Sequence, residues 1–442
     1  MRRTVHVNAH RTAIFISVLL FFLPCIISLL TNKIIGNALI YLAYYLLAFL
    51  LGIYGIQSSG YLKINQKQFI CLFVWIVLTL IIILNNNGDF ENDSYRSIAN
   101  WTLCVLFTFI ILMHKNLQDT IMKIMLLLLL FQLAAGYYFL IFPGQLLSLS
   151  GFFGLEGIWL SKFVSQVNAG YFMGFTSHYS TSGMYMAWGS ILSAAFLLNE
   201  KLQNKKWRIA DIILFIAFFA ALILTGKRGH ILFTTVALIL IYLVGYVRGG
   251  LSKKLKQILS FIIIFIVVFL IALQIPAFQN TIERFMVSML SSDLNDTSSD
   301  RIDELWIPAL EEFKEHPLTG IGWRQFKYLH PMSNGANNDC HNIYLQLLCE
   351  TGILGFCCFM AVFIYNYVLA WKTLLKEKRK KQSNSYLPIL FAFGYQTFFL
   401  LYGLTGNPLY DIQCYLPYMV SCAFVYKYSE KNKRIRFSFF RS

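Results

Sequence analysis

Apolar runs of the length a helix needs to cross a bilayer, about 20 residues, recur along this whole chain and are separated by short polar connections. The pattern predicts spans over 13–31, 35–56, 68–85, 98–114, 120–142, 182–199, 209–225, 230–247, 257–276, 343–370, 386–404 and 412–427, about twelve in all. The expected fold class is therefore all-α, a polytopic transmembrane helical bundle. Arg2, Arg3 and Arg11 before the first run imitate a secretory signal, yet Leu30, Thr31 and Asn32 offer no small-residue cleavage site, so the run is expected to stay as a span.

Two connections are long enough to carry structure of their own, roughly 40 residues after span five and roughly 65 after span nine. The longer one divides the chain into 1–276 with spans one to nine, 277–342 as a partly helical outer loop, and 343–442 with spans ten to twelve and a basic tail. Asp300 or Asp303 is placed to cap a loop helix whose apolar side is Leu305, Ile307, Leu310 and Phe313, with Pro308 as a kink and His316-Pro317 as its end. Gly320 and Gly322 then permit a tight turn before Trp323. Nothing comparable to the long loop follows span three, so no internal repeat is visible, which weakens a transporter reading.

Composition agrees with the pattern: of 442 residues 57% are hydrophobic and 13% charged, which no soluble domain of this size shows. The net charge of +16 is spent in short clusters between spans and not on a nucleic-acid surface. Every second connection is basic, from Lys63 and Lys67 through Lys205, Lys206 and Arg208 to Lys378, Arg379, Lys380 and Lys381. The intervening ones are acidic or neutral, which predicts cytoplasmic termini and an outward-facing long loop. The nine cysteines contain no Cys-x-x-Cys pair and mostly sit inside apolar runs; neither a disulfide framework nor a zinc site is supported, and no metal or cofactor is expected.

One connection breaks the charge rule. Between spans seven and eight, Thr225-Gly226-Lys227-Arg228-Gly229-His230 sets two cations at an outer helix start. Either they snorkel to lipid headgroups, or the flanking glycines, the positive helix end and the guanidinium fork make a pyrophosphate site. Arg301, amid Asp300, Asp303 and Glu304, reads by itself as a surface ion pair. His341 at the mouth of span ten can accept a proton from a hydroxyl. Below it Asn342, Gln346 and Glu350 form a polar stripe at i, i+4 and i+8, descending roughly 12 Å, with Glu350 either functional or a packing bond between helices. His178 and Tyr179, followed by Ser180, Thr181 and Ser182, either bind sugar hydroxyls or cap span six. Arg324, just past the glycine turn, completes the candidate substrate contacts with Lys227, His178, Tyr179, Asn342 and Glu350. No nucleotide-binding, zinc-protease or nucleophile-elbow motif is present.

Two blocks, Pro317-Leu318-Thr319-Gly320-Ile321-Gly322 and His341-Asn342-Ile343-Tyr344-Leu345-Gln346 followed by Glu350-Thr351-Gly352-Ile353-Leu354-Gly355, with the Thr-Gly-Lys-Arg-Gly turn and Arg301, give the chain its kinship. In these residues it resembles the bacterial O-antigen ligase and O-antigen polymerase family. The resemblance implies a metal-independent transferase using glycan carried on polyprenyl pyrophosphate, with Arg228 and Arg301 on the pyrophosphate and His341 as base or acceptor-orienting group. Lys227 stands where the family turn often has serine, which adds a cation. The expected function is polymerisation of lipid-linked repeat units in the bacterial inner membrane, with the active site on the outer face. The alternatives are ligation of finished polysaccharide onto a lipid A core and, from another class, a polysaccharide flippase. A coupling-ion flippase should carry charges in several mid-membrane positions, whereas here the notable ones cluster outside. The expected partners are thus the lipid-linked donor, a glycan or lipid A core acceptor and membrane lipids, with no nucleic acid.

Overall fold

A computed structural model of the chain describes residues 92–113, 117–151, 153, 155–199, 205–245, 301–333, 337–379 and 386–429, with the isolated positions 14, 18, 61–62, 68, 71, 252, 256, 259, 263 and 435–436. The expected spans 13–31, 35–56, 68–85 and 257–276 lie almost wholly outside the described residues, as does the acidic stretch 293–300. The other eight expected spans are all helices: α1 (Asn92–Met113), α2 (Leu117–Ile141), α5 (Tyr179–Leu198), α6 (Lys205–Leu224), α7 (Arg228–Leu240), α10 (Ile343–Arg379), α11 (Tyr386–Tyr402) and α12 (Ile412–Tyr428). The connections add α3 (Pro143–Ser148), α4 (Gly157–Asn168), α8 (Ile307–Glu315) and α9 (Phe326–Leu329). A two-residue antiparallel ladder, β1 (Tyr61–Leu62) with β2 (Ile435–Arg436), is the strand pairing among the described residues.

The architecture is an all-α membrane bundle. Four described helical segments are long and apolar enough to cross a bilayer: Leu117–Ile141, Tyr179–Leu198, Arg228–Gly245 and Ile343–Arg379. Helix α5 runs through the middle, packed by α2, α6, α7 and α11, while α12 bridges α1, α10 and α11. On α6, Ile209, Ile212, Ile213 and Ile216 are all exposed; at i, i+3, i+4 and i+7 they form one apolar face left uncovered among the described residues, the kind of face a lipid-contacting helix presents. Helix α7 ends in a wider π-type turn, Ile241–Gly245, where the Tyr386 hydroxyl donates to the freed Gly245 carbonyl.

The loop helix departs from its sequence pattern. Arg301 leads into a π-type turn, Ile302–Trp306, before α8 begins at Ile307, with Pro308 in its first turn. Pro308 thus lies directly after the π turn in a helix that runs unbroken from Arg301 to Glu315. The extra residue in the π turn rotates the helix face: Leu305 and Ala309 are buried, and Ile307 and Leu310, expected inside, are exposed. No side-chain cap by Asp303 forms at the helix start.

The long connection is not a detached cap on the bundle. Trp323, right after the glycine turn, is buried, donates its Nε1–H to Ser97 Oγ on α1 at 2.7 Å, and lies against Trp101, Phe359 and Tyr410. The turn itself is pinned into a break in α10. At Gly352 the backbone takes φ 61 and ψ −173, a region essentially reserved for glycine, and the helix is interrupted there. The loop backbone engages the groups beside the break: Ile321 and Gly322 N–H donate to the Cys349 and Glu350 carbonyls at 3.0 Å each, and Ile353 N–H donates to the Pro317 carbonyl at 2.9 Å. Buried backbone groups must be paired, and here loop and helix satisfy each other. The approach leaves no room for side chains, since a Cβ on Gly320 would come within 2.4 Å of Glu350 backbone and one on Gly352 within 2.3 Å of Leu318 backbone. The Pro317–Gly322 and Glu350–Gly355 motifs are thus the two halves of one joint.

That joint also sets what surrounds the polar stripe. A 37-residue helix is about 55 Å long, against a hydrocarbon core of about 30 Å. The part above Gly352 is covered by the loop, so Gln346 and Glu350 face protein and not lipid. Asn342 is not part of the stripe. Its Oδ1 accepts from Tyr344 and Leu345 N–H at 3.1 and 3.2 Å, which makes it the N-cap of α10.

Candidate active site

The starts of α5, α7 and α10 and the end of α11 meet at one end of the bundle. Ile343 N–H donates to the Gly403 carbonyl at 2.8 Å, and Phe172 N–H to the Leu224 carbonyl at 3.0 Å, tying the approach to α5 onto the end of α6. The turn glycines serve this crowding and not, as expected, a display of free N–H groups. Gly226 has φ 68 and faces the Tyr171 ring, at 2.7 Å from a Cβ placed there, and its N–H is used by Ile223. A Cβ on Gly229 would reach 2.9 Å from Thr405 Oγ1. The turn is tight because α7 must start against both neighbours.

Into this end project five of the sequence-chosen residues from separate segments: Lys227, Arg228, Arg301, His178 and His341. The Lys227 ammonium sits 4.7 Å over the Tyr179 ring, a cation–π contact, and Tyr179 stacks on Tyr171 with centroids 4.7 Å apart. Burial, and then the Arg301 charge, lower the Lys227 pKa to about 8 against the pull of Asp411. His341 is lowered to about 4 by burial, by Arg301 and by Lys227, with Asp339 opposing. His178 is lowered to about 4 by burial and by Lys227, Lys162 and His341. The Arg301 and Arg228 charges both bear on the Tyr179 hydroxyl. Lys227, Arg301, His178 and His341 thus influence one another electrostatically, and both imidazoles are held neutral at pH 7. An array of that kind attracts an anion and supplies proton acceptors.

His178 also resolves one open choice. Its Nδ1 accepts from Ser180 N–H at 3.1 Å, so the imidazole itself caps α5 in place of Ser or Thr, which leaves Nε2 as the protonated nitrogen facing away from the cap.

Arg324 and Glu350 belong to a second constellation beneath His341. Arg324 grips Asp339 with two contacts of 2.7 Å and lies 4.3 Å over the Tyr410 ring. Burial opposes its charge and the Asp339 carboxylate more than compensates, so its pKa stands above the ordinary guanidinium value. Gln346 Nε2 donates to Asp339 Oδ1 at 3.0 Å and to Glu350 Oε1 at 2.9 Å, and Gln346 Oε1 accepts from Cys340 N–H at 3.1 Å. The Tyr410 hydroxyl donates to Glu350 Oε2 at 2.6 Å. Breaking a buried pair such as Arg324–Asp339 typically costs roughly 3–5 kcal/mol, and here it supports unfavourable backbone. Arg324 and His341 are the non-glycine residues with positive φ among the described residues, at 62° and 53°, each costing about 1–2 kcal/mol.

Asp339, Tyr410, Asp411 and the buried His230, which faces the Tyr402 ring at 4.4 Å, went unmarked in the sequence reading. Tyr410 and Asp411 lie in a short connection without periodicity, and only the isolated polar residues between α11 and α12 could have drawn notice. Among the described residues, Glu312, Glu315 and His316 hold metal-ligand spacing, but Glu312 is paired with His330 at 2.7 Å.

The helical bundle and its long apolar helices define an integral membrane protein. Residues 213–360 match the O-antigen ligase family, and this segment holds the Lys227–Arg228 turn, Arg301, the joint and His341. A 110-residue stretch is 34% identical to an O-antigen ligase of Pseudomonas aeruginosa, covering 24% of this chain and 24% of that relative's length. Both comparisons thus show a partial similarity to O-antigen ligases, over the same part of the chain that carries the motif resemblance.

Proposed function

We propose that the chain transfers a glycan from polyprenyl pyrophosphate to an acceptor saccharide at the outer face of a bacterial inner membrane, without a metal ion. The observation that supports this reading is the mutual electrostatic influence of Lys227, Arg301 and His341, from three distant segments, with Arg228 next to Lys227 at the start of α7. In this reading Arg228 and Arg301 grip the pyrophosphate, with Lys227 as an added point charge. Neutral His341 takes the proton of the acceptor hydroxyl as its oxygen bonds to the anomeric carbon. The bond from that carbon to the pyrophosphate oxygen breaks, and the electron pair leaves on the pyrophosphate, where the cations stabilise it. Tyr179 and His178 line the acceptor side; Asn342, Arg324 and Glu350 are framework.

Two acceptors stand. The next lipid-linked repeat unit is the one expected from the sequence, and a lipid A core is favoured by the ligase descriptions of both matches. Purified protein incubated with lipid-pyrophosphate repeat units should give a ladder of lengths without core acceptor if it polymerises, and a single-transfer product only with core acceptor if it ligates. Absence of any product with either acceptor would reject glycan transfer.

The pocket's charges predict its pH profile. In the free protein His341 protonates only near pH 4, and Lys227 loses its charge near pH 8. The kcat/KM profile should therefore be a plateau bounded near these two values, with no acid limb at the ordinary histidine value of about 6.5. Bound pyrophosphate offsets the cationic part of each depression and leaves the larger part, due to burial, so the limbs of kcat should lie at modestly higher pH than those of kcat/KM. An acid limb of kcat/KM near 6.5 would place His341 outside the cationic pocket.

A further inference from the structure

The contacts beneath His341 close into a ring: Arg324 to Asp339, Asp339 to Gln346, Gln346 to Glu350, Glu350 to Tyr410, and the Tyr410 face back to Arg324. Its members come from three places. Arg324 and Asp339 close off the excursion that holds α9, Gln346 and Glu350 lie on the first turns of α10, and Tyr410 belongs to the α11–α12 connection.

We infer that this ring is a positioning frame for His341, with Asp339, Gln346 and Tyr410 as further positioning residues of the transfer site. This rests on His341 being the imidazole that serves the reaction.

Three features carry the inference. First, the ring grips the chain on both sides of the histidine. Asp339 is two residues before it, Gln346 five after, and the Gln346 amide oxygen also holds the Cys340 N–H directly preceding it. Second, His341 has φ 53, a conformation that persists only when its surroundings over-determine it, and Arg324, with φ 62, holds the other end of the same strap. Third, the hydrogen-bonding capacity is directed and nearly complete. Both Glu350 oxygens accept a donor, both Asp339 oxygens accept from Arg324 Nη1, and the Gln346 amide is used at both ends. A network with this many mutual hydrogen bonds resists rearrangement. The frame lies on the protein side of His341 and touches no reacting atom, so its contribution is to geometry.

A double-mutant series on the full-length purified protein tests this. Tyr410→Phe keeps the ring under Arg324 and strips the donor from Glu350; Gln346→Leu cuts the hub. Folding is checked by gel-filtration profile and thermal midpoint in detergent, and Tyr410→Phe, a one-atom change, carries the test if Gln346→Leu does not fold. The expected result is a kcat lower by roughly 10- to 100-fold, the scale of a misplaced catalytic group, with donor KM within about twofold. Introduced into His341→Gln, the same substitutions should slow transfer by no more than about a further twofold, because the group they place is already gone. Equal losses in both backgrounds would overturn the frame and leave a structural ring, as would an unchanged kcat in folded Tyr410→Phe. A wild-type rate in His341→Ala alone would instead overturn the role of the imidazole on which the frame depends, so the two failures are distinguishable.

Discussion

Replacing His341 with alanine is expected to slow glycan transfer by roughly 100-fold or more while donor binding stays near normal. The separation follows from the geometry. Lys227, Arg228 and Arg301, which hold charge for the donor, lie on other segments, so removing the imidazole takes away the proton acceptor without removing a cation. His341→Gln refines the result, because glutamine can still hydrogen-bond but cannot titrate. If turnover in His341→Gln falls as far as in His341→Ala, the group acts as a base; if turnover recovers to near wild type, it orients the acceptor. Single-turnover rates with radiolabelled donor, beside a donor-binding isotherm, measure both quantities. A collapse of donor binding in His341→Ala would mean that the histidine belongs to the anion site. Arg301→Lys should behave in the opposite way, keeping charge but losing the planar fork, so that donor affinity and transfer both weaken.

Gly352→Ala and Gly320→Ala are expected to have the largest structural effects in the chain. At Gly352 a side chain would be forced into backbone angles of 61° and −173°, and its Cβ would overlap the Leu318 backbone at 2.3 Å. Backbone cannot move aside as a flexible side chain can, so the cost is roughly 3 kcal/mol or more. At Gly320 the obstacle is the Glu350 backbone, 2.4 Å away, with φ 71. Either substitution should unseat the loop from α10, lower the thermal midpoint in detergent and abolish transfer together. Gly144→Ala, where a Cβ meets nothing within 4 Å, is the control that should keep both. Wild-type stability and activity in Gly352→Ala would show that the joint does not hold the site.

The legible part of this protein is the part governed by local rules. Eight expected spans coincide with helices to within a few residues, because the cost of placing polar groups in hydrocarbon is read from each 20-residue window independently. The positions of His341 and of the Lys227–Arg228 turn at helix starts were legible for the same reason: titratable residues at span ends contradict their surroundings and can be seen without knowing what they face. Misreadings arose where one element's geometry depends on another. Ile307 and Leu310 were placed inside because the 3.6-residue period was continued through a π turn that sequence does not announce. Asn342 and Glu350 were placed on one descending stripe, although Asn342 caps the helix and Glu350 is covered by the loop.

By itself, then, the sequence determined that this is an all-helical membrane protein, where its described helices begin and end, and which charged and titratable residues stand at span ends. The tertiary structure alone decided that Pro317–Gly322 closes onto the break at Gly352, that Arg324, Asp339, Gln346, Glu350 and Tyr410 form a ring, and that Arg301 acts on both Lys227 and His341. The physical reason is range. Burial in a bilayer is paid residue by residue along one helix and leaves a periodic trace, whereas a hydrogen bond between Glu350 and Tyr410 joins positions 60 apart and leaves no pattern until the chain has brought them together.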